Sequence, residues 1–180
     1  KRKQPDPVSI VAELCHICNS SLPKRRRVAI TLGANRAPID SVRAIQNASS
    51  GRTGWAIAEH LHRMGHDVTC IAGKTSVRST FNMPDVRVDG SPGGMLALAK
   101  ELASSSPEPE VWIHAAAVLD YYQEPIDGKK PSGEGDWTLT LSQGPKHISE
   151  LSEFTERAYR IGFKLEVDSS EDDLIKRSLE

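Results

Sequence analysis

The chain has 180 residues, enough for one continuous core and too few for two ordinary domains joined by a linker. Hydrophobic residues make up 38%, charged residues 26% and the formal net charge is -1, which excludes a disordered tail and a broadly basic nucleic-acid surface. No apolar run reaches the roughly 20 residues of a membrane-spanning helix, and residues 1–27 lack a secretory signal's apolar stretch. A cytoplasmic protein with no membrane or nucleic-acid partner is expected.

Residues 1–24 carry three prolines and Cys15-His16-Ile17-Cys18, and read as an N-terminal arm or a short helix outside the main core. That leaves 25–180 as the functional domain. The gap between Cys15 and Cys18 matches half of a zinc site. No second pair follows at that spacing, so the reading is packing, with no metal site and reduced thiols. The basic run Lys24-Arg25-Arg26-Arg27 reads as the solvated flank of a first strand.

Val28-Ala29-Ile30-Thr31-Leu32, ended by Gly33, predicts a buried parallel strand. Trp55, Ile57, Ala58, Leu61 and Met64 predict a helix over 53–64, closed by Gly65. Strands follow at 67–73, which includes Cys70, and at 86–88, then a helix over 95–102 and a buried strand at 111–118. Residues 127–133 are turn-rich, and the alternation over 137–141 predicts a half-exposed strand, together forming a β flap. A helix over 148–154, a strand at 160–165 and a helix from 169 to 179 complete the chain. The alternation predicts an α/β fold: a Rossmann-like three-layer domain with a mostly parallel sheet and right-handed crossovers.

In such a sheet ligands bind outside the carboxyl ends of the strands. After the first strand comes Gly33-Ala34-Asn35-Arg36-Ala37-Pro38-Ile39-Asp40-Ser41-Val42-Arg43, then Asn47-Ala48-Ser49-Ser50-Gly51-Arg52-Thr53-Gly54. Small residues and hydroxyls entering a helix suit an anion, because N–H groups and the dipole's positive end face it. A capped helix after an irregular loop is the plainer reading. Arg43 adds a fork for phosphate or carboxylate, and Asn47 an amide that can orient a reacting carbonyl. Ala116-Ala117-Val118-Leu119-Asp120 allows a base close to the backbone, with Asp120 as an acceptor or simply a turn residue. Lys129 and Lys130 at the flap read either as a closing charge or as solvated tips. Phe163 and Lys164 at a strand end are either a ligand wall or surface.

Together these segments resemble the phosphopantothenate-cysteine ligase family, also called phosphopantothenoylcysteine synthetase, from Val28 to the C-terminus. The loop from Gly33 to Arg43 is similar to the family's Gly-Gly-Thr-Arg-Glu-Pro-Ile-Asp and Val-Arg stretches. Asn47-Ala48-Ser49-Ser50-Gly51 matches Asn-x-Ser-Ser-Gly, and Ala116-Ala117-Val118-Leu119-Asp120-Tyr121 resembles Ala-Ala-Val-Ala-Asp-Tyr. Gly128-Lys129 matches the flap lysine, and Gly162-Phe163-Lys164-Leu165-Glu166 a stretch of free-standing members.

The resemblance implies activation of 4'-phosphopantothenate by CTP or ATP with Mg2+, then amide formation with cysteine. Residue by residue, it implies that Asn47 orients the activated carboxylate and that Arg43 contacts a substrate anion or braces the loop. Lys129 neutralises the triphosphate. Gly33, Ser49, Ser50, Gly51 and Gly54 line the phosphopantothenate pocket, and Ala116, Ala117, Asp120, Phe163 and Lys164 hold the nucleotide. It also implies a homodimer. On this assignment Asn47→Asp spares nucleotide binding while slowing turnover of the acyl-nucleotide.

Departures from the family pattern are Ala34-Asn35 for Gly-Thr, Ala37 for glutamate and Leu119 for alanine, whose bulk is expected to narrow the base site. The chain also ends ahead of the family's last strand. Two alternatives stand beside this reading: a non-catalytic nucleotide- or partner-binding relative, and a short-chain dehydrogenase-like oxidoreductase, for which no tyrosine has a lysine four places on.

Overall fold

The structure is a computed structural model that describes residues 4–133, 135–165 and 167–178. Its centre is β1 (Arg27–Leu32), buried along nearly its whole length because it has a parallel neighbour on each side. β4 (Asp67–Ala72) lies on one side and β6 (Val111–His114) on the other, with β5 (Asp85–Val88) and β9 (Tyr159–Gly162) at the edges. The order β5-β4-β1-β6-β9 is fully parallel, the first five positions of a doubly wound sheet. The reversal of winding falls between β1 and β6.

Alternation along the strands builds two separate cores. Val28, Ile30 and Leu32 join Val68, Cys70 and Ala72 on one face, under Trp55 and Ala58 of α2 (Arg52–Arg63). Ala29, Ile71 and Trp112 point to the other face, under Met95, Ala99 and Leu102 of α3 (Pro92–Ala103). Two apolar faces covered by helices give the expected three-layer α/β architecture.

The N-terminal segment differs from its expectation. Residues Pro7–Ser20 form α1, whose N-cap Asp6 accepts from Ser9 N at 3.2 Å. Rather than lying outside the core, α1 buries Ala12 in it and caps the end of α2. His16 Nδ1 donates to the His62 carbonyl (2.9 Å), and Asn19 Nδ2 donates to that of Arg63 (2.7 Å). Those carbonyls have no partner inside their own helix, so the caps dock α1 where no sequence periodicity announces it. Gly65 is required at this junction: its φ is +87°, and a Cβ would lie 2.4 Å from the Asn19 carbonyl carbon.

The basic flank is paired. Arg25 bonds Asp67, Arg26 meets Glu110 at 3.1 Å, and Arg27 donates to the Glu108 carbonyl at 2.8 Å, all at the amino edge of the sheet. Of the cysteines, Cys70 is buried as expected, Cys15 is half-buried and Cys18 is exposed.

Other elements are shorter than predicted or new. β6 stops at His114, and β9 ends at Gly162, leaving 163–165 beyond the sheet. The helix expected over 148–154 divides into α4 (His147–Glu150) and a 3-10 turn, Glu153–Thr155. Residues 137–141 form no strand; the flap's pairing is instead β7 (Tyr121–Tyr122) with β8 (Ser142–Gln143). β2 (Arg36–Pro38) and β3 (Ala44–Gln46) form a small hairpin inside the first loop. The last helix is α5 (Glu171–Ser178). Glu166 and the predicted end of that helix at Leu179 lie outside the described residues.

Gly54 shows how tightly α2 rides on β1, since a Cβ there would fall 2.3 Å from Leu32 Cβ. Gly54→Val is expected to destabilise the domain by about 2–3 kcal/mol through overpacking, read as a lower urea midpoint at unchanged m.

Candidate active site

The loops at the carboxyl edge are joined through backbone groups. Ala34, fully buried and two residues past β1, bridges to Lys74 on one side and to Ala117 on the other. Ala117 N donates to the Gly33 carbonyl (2.8 Å), and Asn35 N donates to that of Ala117 (3.0 Å). Gly33 and Gly51 hold φ of +82° and +79°, and a Cβ on either would strike Thr75 Cγ2, at 2.7 and 2.5 Å. Glycine is needed at both for conformation and for space.

Gly51 is the N-cap of α2 and offers no capping side chain; the Ser50 hydroxyl accepts from Arg52 N at 3.3 Å, and the rest of the first turn starts beside half-buried Ser49. That is a suitable anion seat. The Ser50 carbonyl accepts from Ser76 N and Val77 N at 3.2 and 3.3 Å, which holds the loop against the strand end. A Cβ at Gly54 would face Leu32, so the lack of a side chain there serves helix–strand packing.

Asn47 couples this loop to the next. Its Nδ2 donates to the carbonyls of Ala117 (3.2 Å) and Val118 (2.9 Å). Asn35, fully buried, supports the same turn, its Oδ1 accepting from Leu119 N at 3.4 Å. Leu119 is itself buried and is not among the residues lining the cavity below, so its bulk does not narrow that space.

Beyond this turn a cavity of about 470 Å³ opens over the ends of β1, β6 and β9. Ala116, Asp120, Phe163 and Lys164 line it, as the sequence reading expected of a ligand wall, and Ala117 supports it from behind. Sequence reasoning missed His114, Gln143, Lys146 and His147, which also line it. The available signal was the start of a short helix, Lys146-His147, next to a strand end in the parallel order. Burial, helped by Arg160 and His147, pushes the His114 imidazole down to about 4. Burial likewise lowers His147. Both rings are therefore neutral at pH 7.

The flap is organised around a residue the motif contains but the reading gave no role. Asp40, buried, accepts from Val42 N (2.8 Å), Arg43 N (2.7 Å) and Lys130 N (3.2 Å), and from the Arg43 guanidinium. Burial pushes its carboxyl up, but those donors outweigh it and hold the pKa at about 2. Arg43 also donates to the Lys130 carbonyl (3.2 Å) and lies 5.4 Å from the Trp137 ring centre. Through Nη1 the guanidinium thus ties the loop at Asp40 to the flap at Lys130. Ser41 N donates to the Gly128 carbonyl (2.9 Å), and Lys129 stands exposed at the tip.

Strand order, covered sheet faces and a crevice at the switch point define a Rossmann-like α/β domain with ligand loops at its carboxyl edge. Over residues 23–178 the chain matches the DNA/pantothenate metabolism flavoprotein C-terminal domain, and it belongs to that family. It is 38% identical over 151 residues to the coenzyme A biosynthesis bifunctional protein CoaBC of Thermococcus kodakarensis, covering 83% of this chain and 36% of that protein. The chain spans about two fifths of the length of the curated relatives it matches. A crystal structure of the DNA/pantothenate metabolism flavoprotein from Streptococcus pneumoniae aligns with TM-score 0.74 and 28% identity, covering 86% of this chain and 77% of that one. A Cab2 variant solved in complex with phosphopantothenate-cysteine shares the fold, with TM-score 0.63 and 17% identity over 98% of this chain and 78% of that one.

Ionised Asp40 has a folded-state pKa below the ordinary 3.8, so it stabilises the flap above about pH 4 and loses that contribution as pH falls through about 2. Asp40→Asn removes it at every pH, and iodide quenching of half-buried Trp137 is expected to rise in the variant at pH 7. Because both Asn47 donors hold loop carbonyls, Asn47→Asp sets a carboxylate against two oxygens. The variant is expected to lose about 1–3 kcal/mol of stability, read as a lower urea midpoint.

Proposed function

We propose that this domain joins 4'-phosphopantothenate to cysteine in coenzyme A biosynthesis, as a nucleotide-dependent ligase working in the cytoplasm as a homodimer. The observation that carries this reading is the continuity of two seats. A helix start at Ser49–Gly51 with glycine at the N-cap suits an anion, and a cavity lined by Ala116, Asp120, Phe163 and Lys164 suits a nucleotide. The Asn47 amide ties one to the other. Relatives named for coenzyme A biosynthesis and pantothenate metabolism support it.

The substrate carboxylate attacks the α-phosphorus of CTP or ATP, forming an acyl-nucleotide and releasing pyrophosphate. The cysteine amine then attacks the acyl carbon, and the nucleoside monophosphate leaves with the C–O electron pair. In the free protein both Asn47 donors are spent on loop carbonyls. On substrate binding, one turns to the acyl oxygen and orients it. Lys129, exposed on a flap braced by Asp40 and Arg43, closes over the triphosphate and offsets charge at the breaking phosphoanhydride.

No group of three or more His, Cys, Asp or Glu side chains among the described residues could hold a metal ion. Mg2+ would accompany the triphosphate, and Asp120, the carboxylate that lines the cavity, would help to hold it. Charge neutralisation is the chemistry the ion supplies.

The test is pyrophosphate release from CTP and from ATP, each with 4'-phosphopantothenate, Mg2+ and cysteine. Release that requires phosphopantothenate is expected, and Lys129→Ala should lower the rate about a hundredfold. Nucleotide binding without any release would overturn the ligase reading.

A further inference from the structure

Helix α1 is held to the domain by few contacts, and a pair of imidazole rings lies at their centre. Ala12 is the one buried residue of the helix, while Val8, Val11, Leu14 and Ile17 are exposed. An element with so little buried surface can open while the sheet stays folded. Besides Ala12, its docking rests on the His16 and Asn19 bonds to the last carbonyls of α2, and on a stack of His16 against His62. The two ring centres lie 4.2 Å apart, with their planes 5° from parallel.

His62, 3% exposed, sits between His16 and the Phe81 ring, whose centre is 5.5 Å away. Its Nδ1 is buried with no hydrogen-bond partner among the described residues. An imidazolium carries a proton on both nitrogens, so charging this ring leaves a buried N–H without an acceptor, whichever tautomer the neutral ring adopts. Burial, and then the facing His16, push the ring below its ordinary 6.5, and Arg63 of the same helix acts in the same direction. Glu13 of α1 opposes them, its carboxylate 3.7 Å from His62 Nε2, but it is exposed and screened by solvent. The third neighbour, the segment at Phe81, brings a ring that the Arg63 guanidinium covers at 4.9 Å. Glu59, one turn back along α2, is held by Thr80 N at 2.6 Å and the Thr80 hydroxyl at 2.5 Å.

We propose that the His16–His62 stack is a pH-sensitive latch: with His62 neutral α1 is held on α2, and protonation of His62 releases α1 while the sheet stays folded, uncovering Ala12 and Phe81. Once α1 leaves, His62 Nδ1 reaches water and the ring takes up a proton at its ordinary value. The undocked state therefore binds more protons than the docked one, so docking is at full strength above about pH 6.5 and weakens as pH falls toward the lower value of the docked ring. The latch lies at the end of α2 opposite Ser49–Gly51 and uses no residue of the ligase site, so it stands or falls independently of the function proposed above.

Amide hydrogen-exchange protection factors at pH 7.5 and 5.5 test the latch, because they already divide out the intrinsic effect of pH on exchange. In the wild-type domain, protection over residues 10–19 is expected to fall about three- to tenfold at the lower pH while α3 keeps its protection. About tenfold is the limit for one ring that titrates at the ordinary 6.5 when undocked. His62→Phe keeps a ring between His16 and Phe81 with no proton to gain, and should level α1 protection across the two pH values. In the wild type, the His62 ring followed by ¹³C NMR should titrate below its value in the urea-unfolded chain, which decides the matter if His62→Phe does not fold. Unchanged α1 protection at pH 5.5, a fall that persists in His62→Phe, α3 protection lost together with that of α1, or a His62 ring that titrates at or above its unfolded value each overturns the latch.

Discussion

The carbonyl oxygen of Ala117 accepts two hydrogen bonds, one from the Asn35 backbone and one from the Asn47 side chain, while its own N–H is given to Gly33. Two stretches of the β1–α2 loop, around Asn35 and Asn47, meet the loop after β6 at this peptide. The approach works only because the residues there are small. Ala34 is fully buried between its two bridges, and Gly33 and Gly51 crowd the same Thr75 methyl. A larger side chain at the junction would separate the anion seat on α2 from the cavity over β6. Backbone donors and acceptors hold the geometry here, so the chemistry-bearing side chains do not have to hold themselves in place.

A second centre, Asp40, does the same for the flap by charge. A buried carboxylate with three backbone donors and a guanidinium is a fixed anchor, and it draws Arg43 and Lys130 onto the loop that contains it. Charge is otherwise divided between the ends of the sheet. At the amino edge Arg25, Arg26 and Arg27 are engaged by Asp67, Glu110 and the Glu108 carbonyl. At the carboxyl edge Lys146 and Lys164 line the cavity beside imidazoles that are neutral, and Lys129 stands exposed on the flap.

The sheet was legible because a fully buried parallel strand needs a continuous apolar run, and Val28 to Leu32 and 67–73 are such runs. The anion seat was legible because Ser-Ser-Gly before an amphipathic helix is a local pattern. The β2–β3 hairpin was not, since three-residue strands with one buried side chain carry no periodicity. Residues 137–141 failed the other way: their alternation is that of a strand, but no neighbouring chain offers them a ladder. Docking of α1 rests on two side chains reaching the last carbonyls of α2, contacts that span more than forty residues.

By itself, then, the sequence determined the layer architecture, the strand-end loops and part of the cavity wall, Ala116, Asp120, Phe163 and Lys164, because these follow from hydrophobic period and local turn chemistry. Tertiary structure alone decided how those residues divide their work. It turned Arg43 inward to Asp40, set Gly54 against Leu32 and spent the Asn47 amide on two carbonyls. It also brought His114 and His147 to one cavity with their Nε2 atoms unpaired. A hydrogen-bond partner distant in sequence leaves no mark on local pattern, and the partner determines whether a polar side chain holds the fold or remains available to a ligand.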